Sequence, residues 1–157
     1  MQHGNLDADD STARLRFDIE LLSERVAAAL LWARDDPWTR ALDAGLFGAS
    51  TGAAAALRAA SMAPAQVRAV VSRGGRPDLA GEQALRRVQA PTLLIVGSRD
   101  TEVLQLNRRA AEALPHEKEL RVVLGAAHLF EEPGALEEVA QVAGEWFQRR
   151  LGRRSAR

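Results

Sequence analysis

The sequence predicts one α/β domain: a parallel sheet of about four strands, flanked by helices. Four short β-like stretches are each followed by a helix-forming stretch, an alternation that implies parallel strands joined by crossover helices. Two of them, VRAVVS and TLLIVG, have the near-continuous Val/Ile/Leu character of strands covered on both faces. A length of 157 residues with 46% apolar side chains suits a single packed core.

In chain order, Leu15, Ile19, Leu22, Val26 and Leu30 recur every three or four positions over residues 14–34. This spacing predicts an amphipathic helix, with Ser11 or Asp10 as its cap. Asp35-Asp36-Pro37 ends it, because the proline ring pushes Asp36 out of the α region and removes a backbone donor. Strands are expected at residues 44–48, 67–72, 92–97 and 119–124, the first being the weakest because it rests on Gly45-Leu46-Phe47. Helices are expected at 51–61, 82–88, 102–114 and 133–151, and right-handed crossovers would set them on both faces of the sheet. No repeat, low-complexity block or linker interrupts the pattern. The expected organisation is a flexible N-terminus over residues 1–12, one domain over 13–151 and a flexible basic tail over 152–157.

The 21 basic and 21 acidic side chains cancel, so no global field draws the chain toward nucleic acid or an anionic membrane. A small-molecule or protein partner is expected instead. The absence of cysteine excludes a disulfide framework, a thiolate metal site and a cysteine nucleophile. Nothing in the pattern calls for a cofactor or a metal. The opening MQHGNLDADD lacks the basic and apolar regions of a signal peptide, and no apolar run reaches membrane-spanning length, so a cytoplasmic location is expected.

Open parallel sheets bind ligands beyond the carboxyl ends of their strands. After the first strand comes Gly48-Ala49-Ser50-Thr51-Gly52, a G-x-S-x-G pattern between a strand and a helix. A serine on so sharp a turn presents its hydroxyl, and glycines two residues before and after would let neighbouring backbone pass without a Cβ clash. The N–H of Thr51, in the helix's first turn, could stabilise an oxyanion. The plainer alternative is a glycine-rich turn serving helix packing or anion binding.

A serine nucleophile needs a base, and the chain has His3, His116 and His128. His3 is near the terminus and His116 lies in a polar loop before a strand, which leaves His128 in GAAHLF after the last strand. The orienting acid is expected at Asp100 in GSRD, with Asp78 as chief rival and Glu102 better explained as a first-turn helix residue. The order Ser, Asp, His is that of α/β-hydrolase triads and differs from those of two other serine-protease folds. Arg73 and Arg76 in SRGGRP could hold a substrate carboxylate, or could simply be solvated loop arginines.

With those residues in hand, the chain resembles the α/β-hydrolase superfamily, specifically its dienelactone-hydrolase-like branch. The strings GLFGASTGAAAAL, VRAVVSRGGRPDLAG, PTLLIVGSRD and GAAHLFEEPGALEEVA look like that branch's elbow, sixth strand, acid loop and histidine loop. The resemblance implies Ser50 as nucleophile, Asp100 as orienting acid and His128 as base. It differs from the founding dienelactone hydrolases in carrying serine where they use cysteine. Similar members occur alone or fused to a phosphoribosyltransferase-like domain, of which this sequence shows no trace.

Members of that branch begin with four further strands and a histidine-glycine-rich loop, none of which precedes Asp10 here. The resemblance therefore implies a partial fold equivalent to strands five to eight. The strand at Leu46 and Phe47 is then expected to be an open apolar edge, suited to self-association. The usual second oxyanion donor is expected to be missing, a loss of about a hundred- to a thousandfold in rate. Two functions follow as expectations. One is a serine hydrolase of carboxylic esters or lactones. The other is a catalytically weak or inactive module acting through self-association or partner binding.

Overall fold

The structure, a computed structural model, describes residues 14–15 and 17–152. In chain order it contains α1 (Ile19–Asp35), β1 (Ala44–Ala49), α2 (Thr51–Met62), β2 (Val67–Arg73) and a 3-10 turn at Pro77–Ala80. There follow α3 (Glu82–Leu85), β3 (Thr92–Gly97), α4 (Thr101–Ala113), β4 (Lys118–Val123) and α5 (Ala135–Gln148). The expected elements are all present, with ends shifted by a few residues.

The largest shift is at the start of α1. Its N-cap is Asp18, whose Oδ1 accepts the Leu21 N–H at 3.0 Å, so the helix begins at Ile19 rather than at residue 14. The expected caps Ser11 and Asp10 lie outside the described residues. At the other end Asp36 is extended, with φ −70° and ψ 130°, as a residue before proline must be.

The four strands form one parallel sheet in the order β1-β2-β3-β4. Side chains of β3 alternate between the faces. Leu93 and Ile95 enter one core with Val71, Val123, Phe130, Val139 and Trp146, while Leu94 enters the other with Val70, Leu57, Leu85 and Ala110. Both cores are apolar, which is why the strands lack polar alternation.

The helices are not shared evenly between the faces. Helices α1, α2, α3 and α4 pack on one side and α5 on the other. The reason is topological: when strands are added always in one direction, right-handed crossovers all fall on the same side. Helix α5 follows β4 and crosses to no further strand among the described residues, so it is free to cover the opposite face.

Helix α2 lies very close to the sheet because its inward residues are small. Ala53 to Ala56 are all buried, and a Cβ on Gly48 would stand 2.5 Å from the Gly52 carbonyl oxygen and 2.6 Å from the Ala53 Cα. Gly48 is therefore required by backbone contact. Gly52 is not, since a Cβ there would meet open space. The close passage expected of both glycines belongs to the first alone. No helix among the described residues is long and apolar enough to cross a membrane.

These glycines should separate cleanly on substitution. Gly48→Ala is expected to destabilise the chain by about 1–3 kcal/mol through overpacking. Gly52→Ala is expected to be neutral or to stabilise by up to about 1 kcal/mol through helix propensity. Urea unfolding measures both, and equal losses would refute the difference.

Candidate active site

Ser50 lies between the end of β1 and the start of α2, and the tight seat of α2 on Gly48 leaves one residue to make the turn. Its backbone is at φ 51° and ψ −123°, a positive φ rarely taken by a residue with a Cβ. Its N–H donates to the Arg73 carbonyl at 3.2 Å and its carbonyl accepts the Arg76 N–H at 3.0 Å. The loop after β2 thus clasps the elbow from both sides. Asn107, fully buried on α4, donates from Nδ2 to the Gly75 carbonyl at 3.0 Å and braces that loop from behind.

Serine is a preferred helix N-cap, and Ser50 occupies the N-cap position of α2, yet its side chain makes no capping bond. Asp100 stands in the same relation to α4: it is the N-cap residue, and its carboxylate does not cap. Its Oδ2 instead meets His128 Nδ1 at 2.6 Å. A carboxylate can only accept, so the contact assigns the proton to Nδ1 and leaves Nε2 as the acceptor. Asp100 is largely buried and His128 half-exposed, which keeps the pair's open end on the imidazole.

The histidine has far to travel. It follows β4, while Ser50 follows β1, and three strand spacings amount to about 14 Å, beyond any side chain. The loop after β4 shortens this distance by folding back over the sheet's end toward β2. It crosses β3 at Gly97, where a Cβ would collide with the Ala126 carbonyl, and reaches β2, where the His128 carbonyl lies 3.3 Å from a Cβ built on Gly74. The crossing is stitched by the Arg99 N–H to the Ala126 carbonyl at 3.0 Å and the Gly125 N–H to Ser98 Oγ at 2.8 Å. His128 and Ser50 therefore both border the loop at residues 73–76.

The other candidates are disposed differently. Asp78 accepts two hydrogen bonds from Arg76, at 2.9 and 2.8 Å, and this carboxylate holds the Arg76 guanidinium above the usual arginine range. Asp78 is thus engaged away from the imidazole, and Arg76 is not free for an anion. Arg73 is different: its Nε is buried without a hydrogen-bond partner, and its guanidinium lies 5.6 Å from the Phe130 ring centre. His116 is exposed ahead of β4, at the opposite end of a parallel sheet from Ser50, and His3 lies outside the described residues. Glu102 is in the first turn of α4. Thr51 begins α2, where a backbone N–H has no intrahelical acceptor.

Sequence reasoning missed Ser98, Asn107 and Glu132, whose Oε1 accepts the Ala127 N–H at 2.9 Å. Their only sequence signal is position, near the ends of β3 and β4 and on α4. A cavity of about 410 Å³ between the 3-10 turn and α4 is lined by Asp78, Leu85, Arg109 and Glu112 among others, and by none of Ser50, Asp100 and His128. The elbow and the acid–histidine pair lie apart from that cavity.

The crystal structure of a dienelactone hydrolase from Anabaena variabilis superposes on this fold with a TM-score of 0.89 and 51% identity, over 97% of this chain and 70% of that one. This chain belongs to the dienelactone-hydrolase-like branch of the α/β hydrolases. Two more distant structures share the hydrolase fold. A dienelactone-hydrolase-like promiscuous phosphotriesterase from metagenomic libraries is 19% identical with a TM-score of 0.70, over 96% of this chain and 69% of that one. A monoacylglycerol lipase from Paleococcus ferrophilus is 18% identical with a TM-score of 0.68, over 82% and 74%. No family model matches the chain. Proteins of two Mycobacterium tuberculosis strains, provisionally named phosphoribosyl transferase, are 59% identical over 131 residues. The hydrolase-like chain matches 83% of its own length to them but spans only 29% of theirs.

The strain at the elbow has a measurable consequence. Ser50→Gly removes the Cβ that makes φ 51° costly, whereas Ser50→Ala keeps it. The glycine variant is expected to be about 1 kcal/mol more stable than the alanine variant in chemical unfolding, and the reverse order would show the turn to be unstrained.

Proposed function

We propose that the protein is a serine hydrolase of carboxylic esters or lactones, working through Ser50, His128 and Asp100. The single observation that carries this reading is that the two side chains best suited to cap α2 and α4 both forgo capping. One of them is instead hydrogen-bonded to an imidazole at 2.6 Å. A cap is worth about 1 kcal/mol, so leaving two unmade favours a role for these groups elsewhere.

In this mechanism Ser50 Oγ attacks the carbonyl carbon as its proton passes to His128 Nε2, and the Thr51 N–H steadies the developing oxyanion. Asp100 holds the imidazole tautomer and faces the imidazolium that forms. The leaving alcohol takes the proton from Nε2, and a water, deprotonated by the same nitrogen, then releases the acid from Ser50. A substrate carboxylate would be received by Arg73, whose Nε has no hydrogen-bond partner among the described residues. Arg76 would join only by giving up Asp78. The transferase name of the mycobacterial relatives attaches to proteins of which this chain matches less than a third, and it is not carried over.

A fluorophosphonate probe tests the reading. The expected adduct is on Ser50 and disappears in Ser50→Ala; a folded wild-type chain that takes no label overturns the proposal. With a chromogenic ester, Asp100→Asn is expected to lower turnover by about 10³- to 10⁴-fold and Asp78→Asn by far less. The opposite ranking would move the acid to Asp78. In the same assay Arg73→Ala should raise KM for an ester bearing a carboxylate and leave its neutral analogue unchanged.

A second reading, self-association with or without catalysis, is favoured by the open edge of the sheet. Among the described residues strand β1 pairs only with β2, and its Phe47 is 51% exposed. Two copies could pair their β1 edges and cover this ring. Sedimentation should then show a dimer that Phe47→Lys converts to monomer, and a wild-type monomer at high concentration would refute it.

A further inference from the structure

The segment that carries His128 is neither helix nor strand, so something must hold the imidazole in place. Two features do so. Phe130 takes φ 56° and is buried among Val71, Ile95 and Trp146, a strained turn kept by the packing of its ring. Its N–H donates to the Ala127 carbonyl at 3.2 Å. The second feature is Glu132. Its Oε1 accepts the N–H of Ala127, the residue before His128, at 2.9 Å, and the same oxygen lies 3.8 Å from Nη1 of Arg99, the residue before Asp100. Its other oxygen is buried with no hydrogen-bond partner.

A buried carboxylate oxygen without a partner costs free energy, and neighbouring Glu131 shows that an acid at this loop can stand exposed. The Arg99 contact is too long and too exposed to offset that cost. What distinguishes Glu132 is the bond to Ala127, which ties the peptide leading into His128 to the start of the segment before α5. We propose that Glu132 is a positioning residue for the Asp100–His128 pair: its bond to the Ala127 N–H holds His128 Nδ1 at hydrogen-bond distance from Asp100. The kinetic part of this inference rests on the triad reading; its spectroscopic part does not.

The test uses the full chain with Glu132→Ala, which removes the acceptor, and Glu132→Gln, which keeps an oxygen at the same reach without the charge. One readout is the low-field proton resonance of His128 Nδ1, assigned by its loss in Asp100→Asn. The other is the rate of fluorophosphonate labelling of Ser50. In Glu132→Ala the resonance is expected to vanish or broaden and labelling to slow by about ten- to a hundredfold, under conditions where circular dichroism shows a folded chain. Glu132→Gln should restore both to within about threefold of wild type. If the alanine variant does not fold, Glu132→Asp, which withdraws the oxygen by one methylene, is read in the same way. An unchanged resonance and rate in the acceptor-lacking variant would overturn the proposal, as would loss of both in Glu132→Gln. If wild type takes no label, the triad reading fails while the resonance still decides the role of Glu132.

Discussion

The seat of the first turn of α2 directly on Gly48 is the contact from which the site follows. With backbone against backbone and no Cβ between them, the chain must reverse from strand to helix within one residue, and that residue is Ser50. The turn drives its φ to 51°, and its hydroxyl makes no bond to the helix it would otherwise cap. The buried alanines 53 to 56 keep the rest of α2 equally close, so the turn cannot relax outward. A wider helix seat would allow an ordinary capping serine.

A second constraint acts across the sheet. The elbow and the histidine belong to the two outermost of four strands, and no side chain bridges them. The loop after β4 narrows the gap: Gly97 lets residues 126 and 127 pass over the end of β3, and Gly74 receives the histidine's own backbone. The acid needs no such device. Asp100 follows the strand being crossed, so the loop passes beside it and the 2.6 Å contact forms on the way. This explains why the carboxylate that meets the imidazole follows β3, although Asp78 follows a strand nearer to Ser50.

Local stability is given up at several points of this region: two unmade helix caps, positive φ at Ser50 and Phe130, and a buried carboxylate oxygen without a partner at Glu132. Each costs about 1–3 kcal/mol at most. The offset lies in the two apolar layers on either side of the sheet, where Trp146, Phe130, Leu57, Leu94 and Ile95 are almost wholly buried. At about 1.5–3 kcal/mol for each large buried side chain, a few such residues balance the strain. The α/β-hydrolase scaffold is thus over-determined in its core and under-satisfied at its strand ends.

The alternation of strand and helix, the apolar β2 and β3, and the G-x-S-x-G elbow were legible in the residues because each is a local pattern with a local cause. So was the candidate set of Ser50, Asp100 and His128, since cysteine is absent and histidines are few. What the sequence could not decide depends on which backbones touch. Gly48 and Gly52 look equivalent in the motif, yet only one is pressed by a neighbour. Asp78 and Asp100 both follow strands, yet one is taken by Arg76 and the other meets the imidazole. Helices expected on both faces divide unevenly, four on one and one on the other, because strand order and handedness act together over the whole sheet. The residues by themselves determined the fold class and the chemical groups on offer; the tertiary structure decided which of them meet, because meeting depends on close approach between segments remote in the chain.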